Sequence, residues 1–96
     1  RVIEAKCPAS MEVYGMIPDH YMPQVQGQME ITGRKQAHFI CWTPSAFEVW
    51  EVDKDAYYWA ACFELLTDFW NYIKADIEPK KRKKPDLPQV IYRRVI

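Results

Sequence analysis

Between Ala37 and Ile77 the spacing of apolar residues changes from two to three and four, and that change confines the chain to a mixed fold. Phe47-Glu48-Val49-Trp50-Glu51-Val52 alternates, with Phe47 and Val49 on one face and Glu48, Trp50 and Val52 on the other, the period of a half-buried strand. Ala37–Thr43, rich in aromatic and β-branched residues, precedes it across a Pro44-Ser45 turn, so the two read as a β-hairpin. A helix then runs from about Lys54 to about Ile77, capped by Asp53 or Asp55. Its Trp59, Cys62, Phe63, Leu66, Phe69, Trp70, Ile73 and Ile77 recur at helical steps, a stripe that predicts packing against a sheet or a subunit contact.

The first third adds a strand and a helix. Val2–Lys6 has β character and stops at Cys7-Pro8. Ser10–Tyr14 suits a brief Ser-capped helix closed by Gly15. Asp19 opens a longer helix that ends at Gly33, with Pro23 tolerated in the first turn. Tyr21 or Met22, Val25 and Met29 mark its buried stripe. The order is strand, helix, strand, strand, long helix. That predicts an α+β fold: a small mixed sheet of opening strand and hairpin, flanked by a Gln-bearing helix and a long C-terminal amphipathic helix.

Ninety-six residues, 49% hydrophobic and 27% charged, suit one small globular domain. Residues 1–78 are expected to form the core, and 79–96 a basic, Pro-rich C-terminal tail in which Gln89–Ile96 could add an edge strand or remain a tail. A strand starting at Val2 with no Met and no lead-in reads as a cut through a larger domain. Thirteen basic and thirteen acidic residues cancel, so net charge makes no case for nucleic acid; Lys80, Lys81, Arg82, Lys83 and Lys84 make a local one. Such a run can release phosphate counterions on binding DNA, or serve as a solvated tail. Cys7, Cys41 and Cys62 contain no CxxC pair, which argues against a disulfide framework or zinc site and favours a reducing cytosol. No apolar run reaches membrane-spanning length. His20 and His38 have no metal-site spacing.

The chemistry-bearing residues lie near the start. Glu4 and Lys6 emerge on one face of the strand. Their bland reading is an ion pair contributing about 0–1 kcal/mol. Their functional reading is a Mg²⁺ site, with the Glu4 carboxylate and Ala5 carbonyl as oxygen ligands and Lys6 steadying a water or a scissile phosphate. Gln24 and Gln28 share one side of the following helix, while Gln26 points toward Glu30. A glutamine at such a site can hydrogen-bond the attacking water or a carboxylate without adding charge.

Glu4-Ala5-Lys6-Cys7-Pro8 followed by Tyr21-Met22-Pro23-Gln24-Val25-Gln26-Gly27-Gln28-Met29, then Thr32-Gly33 and an aromatic strand, resembles the lambda exonuclease (YqaJ-like) viral recombinase family of PD-(D/E)xK nucleases. The resemblance runs from Val2 to about Ile77. It implies a restriction-endonuclease-like core, here truncated at its N-terminus, and metal-dependent exonucleolytic degradation of double-stranded DNA from its ends during phage recombination. By resemblance, Glu4 is a Mg²⁺ (or Mn²⁺) ligand with the Ala5 carbonyl, Lys6 orients or activates the water, Gln24 supports the lysine or the water, and Tyr21 and Gln26 support the site. Double-stranded DNA, a single-strand annealing protein and a ring-shaped homotrimer are the implied partners, and the bacterial host cytoplasm the implied location. The family's other metal carboxylate, an Asp on the preceding strand, has no counterpart here, so this stretch alone is expected to be inactive. A different class stays open: a non-catalytic oligomerisation or partner-docking module, favoured by the aromatic helix face.

Overall fold

The computed structural model describes residues 1–79 and 85–96. The cationic run Lys80, Lys81, Arg82, Lys83 and Lys84 lies outside the described residues, and with it the sequence reading of a DNA contact there.

Alternating apolar and polar residues produce four strands. β1 (Val2–Lys6), β2 (Gln36–Trp42), β3 (Phe47–Asp53) and β4 (Tyr92–Arg94) lie side by side in that order. β1 pairs parallel with β2, Glu4 opposite Phe39 and Lys6 opposite Cys41. β2 and β3 form the expected antiparallel hairpin, and its turn is closed by Thr43 Oγ1, which accepts from the Ala46 N–H and donates to the Ala46 carbonyl, both at 3.0 Å. β4 pairs antiparallel with β3 at the sheet edge, the first of the two alternatives for Gln89–Ile96. A parallel pair cannot be joined by a tight turn, so the chain between β1 and β2 crosses the sheet as a helix.

That helix begins with a 3₁₀ turn, Asp19–Tyr21, and continues as α1 (Met22–Thr32). Pro23 occupies the first turn, where a missing N–H costs nothing. Gly33 ends the helix in the left-handed conformation, φ 70°. The short helix expected over Ser10–Tyr14 does not form. The segment is a chain of turns with Met11 at φ 62° and Gly15 at φ 72°. It is fastened over the sheet by Ile17, which is fully buried, and by the Gly15 N–H on Glu48 Oε1 at 3.0 Å.

α2 (Ala56–Lys74) starts at Asp55, whose carboxylate accepts the Tyr58 N–H at 2.9 Å. It ends with Asp76 at φ 56° and the Ile77 N–H on the Tyr72 carbonyl at 3.0 Å, a Schellman-type stop. The expectation of a long helix closing the chain fails. α2 stops at Lys74, short of Ile77, and the chain returns to finish on a strand.

The expectation that the α2 stripe packs on the sheet fails as well. The backbone of α2 comes close to α1 and, among the described residues, to none of the strands, giving three layers: sheet, α1, α2. Because α1 has neighbours on two sides, it buries Met22, Val25 and Met29 toward the core but also Gln26 and Gly27. The Trp59 ring lies against Gly27, where an added Cβ would stand 3.3 Å from it. Only Tyr58 and Cys62 of α2 are buried. Phe63, Leu66, Phe69, Trp70, Ile73 and Ile77 are each at least half exposed.

Candidate functional site

β1 is an edge strand with alternating burial, and its Glu4 and Lys6 point to the face covered by α1, while Ile3 and Ala5 point to the open face. α1 crosses that face with Gln24 and Gln28 one turn apart above them. The four side chains meet. Lys6 Nζ is 3.1 Å from Glu4 Oε1 and donates to Gln24 Oε1 at 3.3 Å. Gln24 Nε2 in turn donates to Glu4 Oε1 at 3.4 Å, and Gln28 Nε2 donates to Glu4 Oε2 at 2.9 Å. The amide of Gln24 therefore links the cation to the carboxylate, and Gln28 holds the second carboxylate oxygen.

Tyr21, at the helix entry, forms one wall. Lys6 Nζ stands 4.4 Å above its ring, within cation–π range. The ring is held between His20 at 4.2 Å and Phe39 at 5.8 Å, centroid to centroid. Tyr14 completes the cluster at 6.0 Å from Tyr21; hydrogen bonding to Tyr21, then burial, push its phenol up to about 12. Glu4 is shifted in the opposite direction. The Gln28 amide, followed by the hydrogen bond and charge of Lys6, holds its carboxyl below the ordinary value against the opposing effect of burial. Glu4 is thus kept as an anion with both oxygens engaged.

The resemblance makes Gln26 a supporting residue, whereas helical period turns it away from Gln24 and Gln28; the structure brings it to the junction of β3 and α2. Gln26 is 1% exposed and faces away from Glu4. Its Nε2 donates to the Asp53 carbonyl at 3.2 Å and its Oε1 accepts the Asp55 N–H at 2.9 Å. A helix turns 100° per residue, so Gln24 and Gln28 share a side that Gln26 cannot. Gln28 takes the place at the site; its four-residue spacing from Gln24 is the signal that points to it. Glu48, a buried carboxylate, lies further along the same face and accepts the Gly15 N–H of the 7–18 loop.

The donor set is only a partial fit to a hard cation. Glu4 is a single carboxylate, Ala5 adds a backbone oxygen, and among the described residues no group of three or more His, Cys, Asp or Glu could hold a metal. Mg²⁺ takes six oxygens in strict geometry, and both Glu4 oxygens already accept hydrogen bonds. The buried thiols Cys41 and Cys62 are no alternative, since burial pushes both up and so disfavours their thiolates. Among the described residues no helix is long and apolar enough to cross a membrane.

A family model described as the YqaJ-like viral recombinase domain matches residues 1–35. The matched stretch contains β1, the loop and α1, and so all of Glu4, Lys6, Tyr21, Gln24 and Gln28. It stops before β2, so the hairpin and α2, included in the resemblance read from the sequence, lie beyond it. No curated protein and no solved structure matches the chain.

Proposed function

We propose that this chain carries the acid–lysine–glutamine part of the active site of a phage-recombination exonuclease of the YqaJ-like kind, acting on double-stranded DNA from its ends. The observation that supports this most directly is the closed contact of Glu4, Lys6 and Gln24 across β1 and α1, within the stretch that matches the family model. In this reading Glu4 and the Ala5 carbonyl supply two of the oxygens around Mg²⁺ or Mn²⁺, and the ion, when bound, lowers the pKa of water and polarises the phosphate. The chain's own residues orient. Lys6, held 3.1 Å from Glu4, would donate a hydrogen bond from its ammonium to a water or a phosphate oxygen brought to this site. Gln24 keeps the ammonium in position without adding charge, and Tyr21 limits its swing.

One carboxylate is too few for the ion. The activity is therefore proposed for a protein in which a second carboxylate joins Glu4, as on the preceding strand of the family this stretch resembles. Duplex DNA, an annealing protein, self-association and a cytoplasmic setting in the bacterial host belong to the same proposal. The test is Mg²⁺-dependent digestion of linear duplex DNA by this chain and by a form extended upstream of Arg1. The extended form should digest DNA and lose that activity on Lys6→Ala with its fold retained, and the 96 residues alone should be inert. Unchanged digestion by Lys6→Ala would overturn the proposal. It would favour the non-catalytic docking module, for which the exposed face of α2 is the supporting observation.

A further inference from the structure

Four cations that the sequence scatters between positions 1 and 54 meet at one end of the sheet. Arg1, Arg34, Lys35 and Lys54 line a shallow cleft of about 940 Å³ where β1 and β2 begin and β3 ends. Two chain reversals build it. Gly33 stops α1 in the left-handed conformation, which puts Arg34 and Lys35 at the tip of the α1–β2 turn. The Lys54 N–H donates to the Lys35 carbonyl at 2.9 Å and ties the β3–α2 junction to that tip.

The acids at the cleft are already engaged. Glu30 pairs with Lys54 at 2.9 Å, and Asp53 accepts from Gln36 at 3.2 Å and from Arg93 at 3.4 Å. Arg1 donates to the Gln36 amide oxygen at 3.5 Å. Arg34 and Lys35 are exposed and form no ion pair among the described residues. Cations elsewhere on the sheet are placed differently: Lys6 pairs with Glu4, Arg93 with Glu51 and Arg94 with Glu48.

We propose that this cleft holds backbone phosphates of the DNA on which the Glu4 site acts, with Arg34 and Lys35 as the contacting pair. The inference takes its ligand from the nuclease reading and rests on it. Two adjacent cations with no acid against them keep their charge for an outside anion, and a guanidinium matches a phosphate with two parallel hydrogen bonds. Position ties the cleft to the candidate active site. Arg1 precedes Glu4 by three residues of extended chain, about 10 Å at 3.3 Å per residue. Thr32, just before the turn, follows the Glu4 partner Gln28 by about 6 Å of helix. A DNA strand advances about 3.4 Å per nucleotide along its axis. A strand whose reacting phosphate lies at Glu4 therefore brings phosphates about two or three nucleotides away to this end of the sheet, where a contact positions the strand without reading its sequence.

The experiment is fluorescence anisotropy of a labelled blunt duplex of about 20 base pairs, in EDTA, at 50 and 200 mM salt. The unaltered chain is compared with the Arg34→Gln, Lys35→Gln pair. Each phosphate contact contributes about −0.9 to the slope of log affinity against log salt. Loss of two should therefore flatten the slope by about 1.8 and shrink the fall in affinity over this salt range about tenfold. Lys35→Gln alone should give half the change in slope, and it serves as the reading if the pair does not fold. The same difference should recur in a chain also carrying Lys80→Gln, Lys81→Gln, Arg82→Gln, Lys83→Gln and Lys84→Gln, which removes the cationic run as the source. Equal slopes for the chain and its variants, or a difference that disappears with the run neutralised, would overturn the inference. So would displacement of the duplex by inorganic phosphate at constant ionic strength, which would make this a site for the free anion. Binding is read without metal, so this result is separate from whether Lys6→Ala abolishes digestion by the extended form.

Discussion

Gln28 is the residue whose removal most directly tests how the site holds its charge. Its amide is the closest donor to Glu4, at 2.9 Å, and the largest influence keeping that carboxyl below its ordinary pKa. Because the folded-state pKa is depressed, Glu4 adds stability that is present at neutral pH and is lost as pH falls through the folded-state value, below the ordinary carboxylate range. Gln28→Leu should raise the Glu4 titration midpoint toward that range and move the onset of acid destabilisation to higher pH. Carbon-detected NMR of the Glu4 carboxyl from pH 2 to 7 reads the midpoint directly. An unchanged midpoint would mean that Lys6, and not the amide, sets the charge. Gln24→Leu, at an exposed position with its amide 3.4 Å from Glu4, should shift the midpoint less.

At the level of elements, period carried most of the information and burial carried the rest. The hairpin, α1 and α2 are legible because alternation and three–four spacing each correspond to one backbone geometry. Glu4, Lys6 and Gln24 could be brought together on paper because strand and helix periods put them on facing sides. Three things were not legible. The 10–14 segment has helical composition, but anchoring Ile17 and Gly15 against the sheet takes the chain through a left-handed residue at Met11. The α2 stripe has a core pattern, yet α1 occupies the sheet face first, and no sequence period reveals which helix arrives there. Gln26 looks like a solvated helix residue until α2 closes over it. That closure has a measurable strength. Gln26 satisfies the Asp53 carbonyl and the Asp55 N–H just where β3 turns into α2. Gln26→Ala leaves both with no side-chain partner; because that junction is only part-buried, the loss should be about 1–3 kcal/mol, the cost of roughly one buried group left unpaired. Urea unfolding measures it. A loss under about 1 kcal/mol would mean that water replaces the amide at that junction.

For the molecule as a whole, stability is concentrated at one end. The buried residues Val25, Met29, Ala37, Phe39, Cys41 and Val52 lie between α1 and the sheet, and β4 and the 7–18 loop close the margins, joined where the Ile17 N–H donates to the Tyr92 hydroxyl at 3.2 Å. α2 departs from this body after Cys62. Its second half keeps its helical hydrogen bonds and only half-buries Leu65, Asp68 and Tyr72, and a helix with so little tertiary packing is only marginally stable at this length. Amide hydrogen exchange should therefore divide the chain. Amides of residues 66–74 should exchange at least about 100-fold faster than those of α1 and β2, since local opening there need not disturb the core. Uniform protection would show instead that α2 belongs to the cooperative core, held there by contacts other than the two buried side chains at its start.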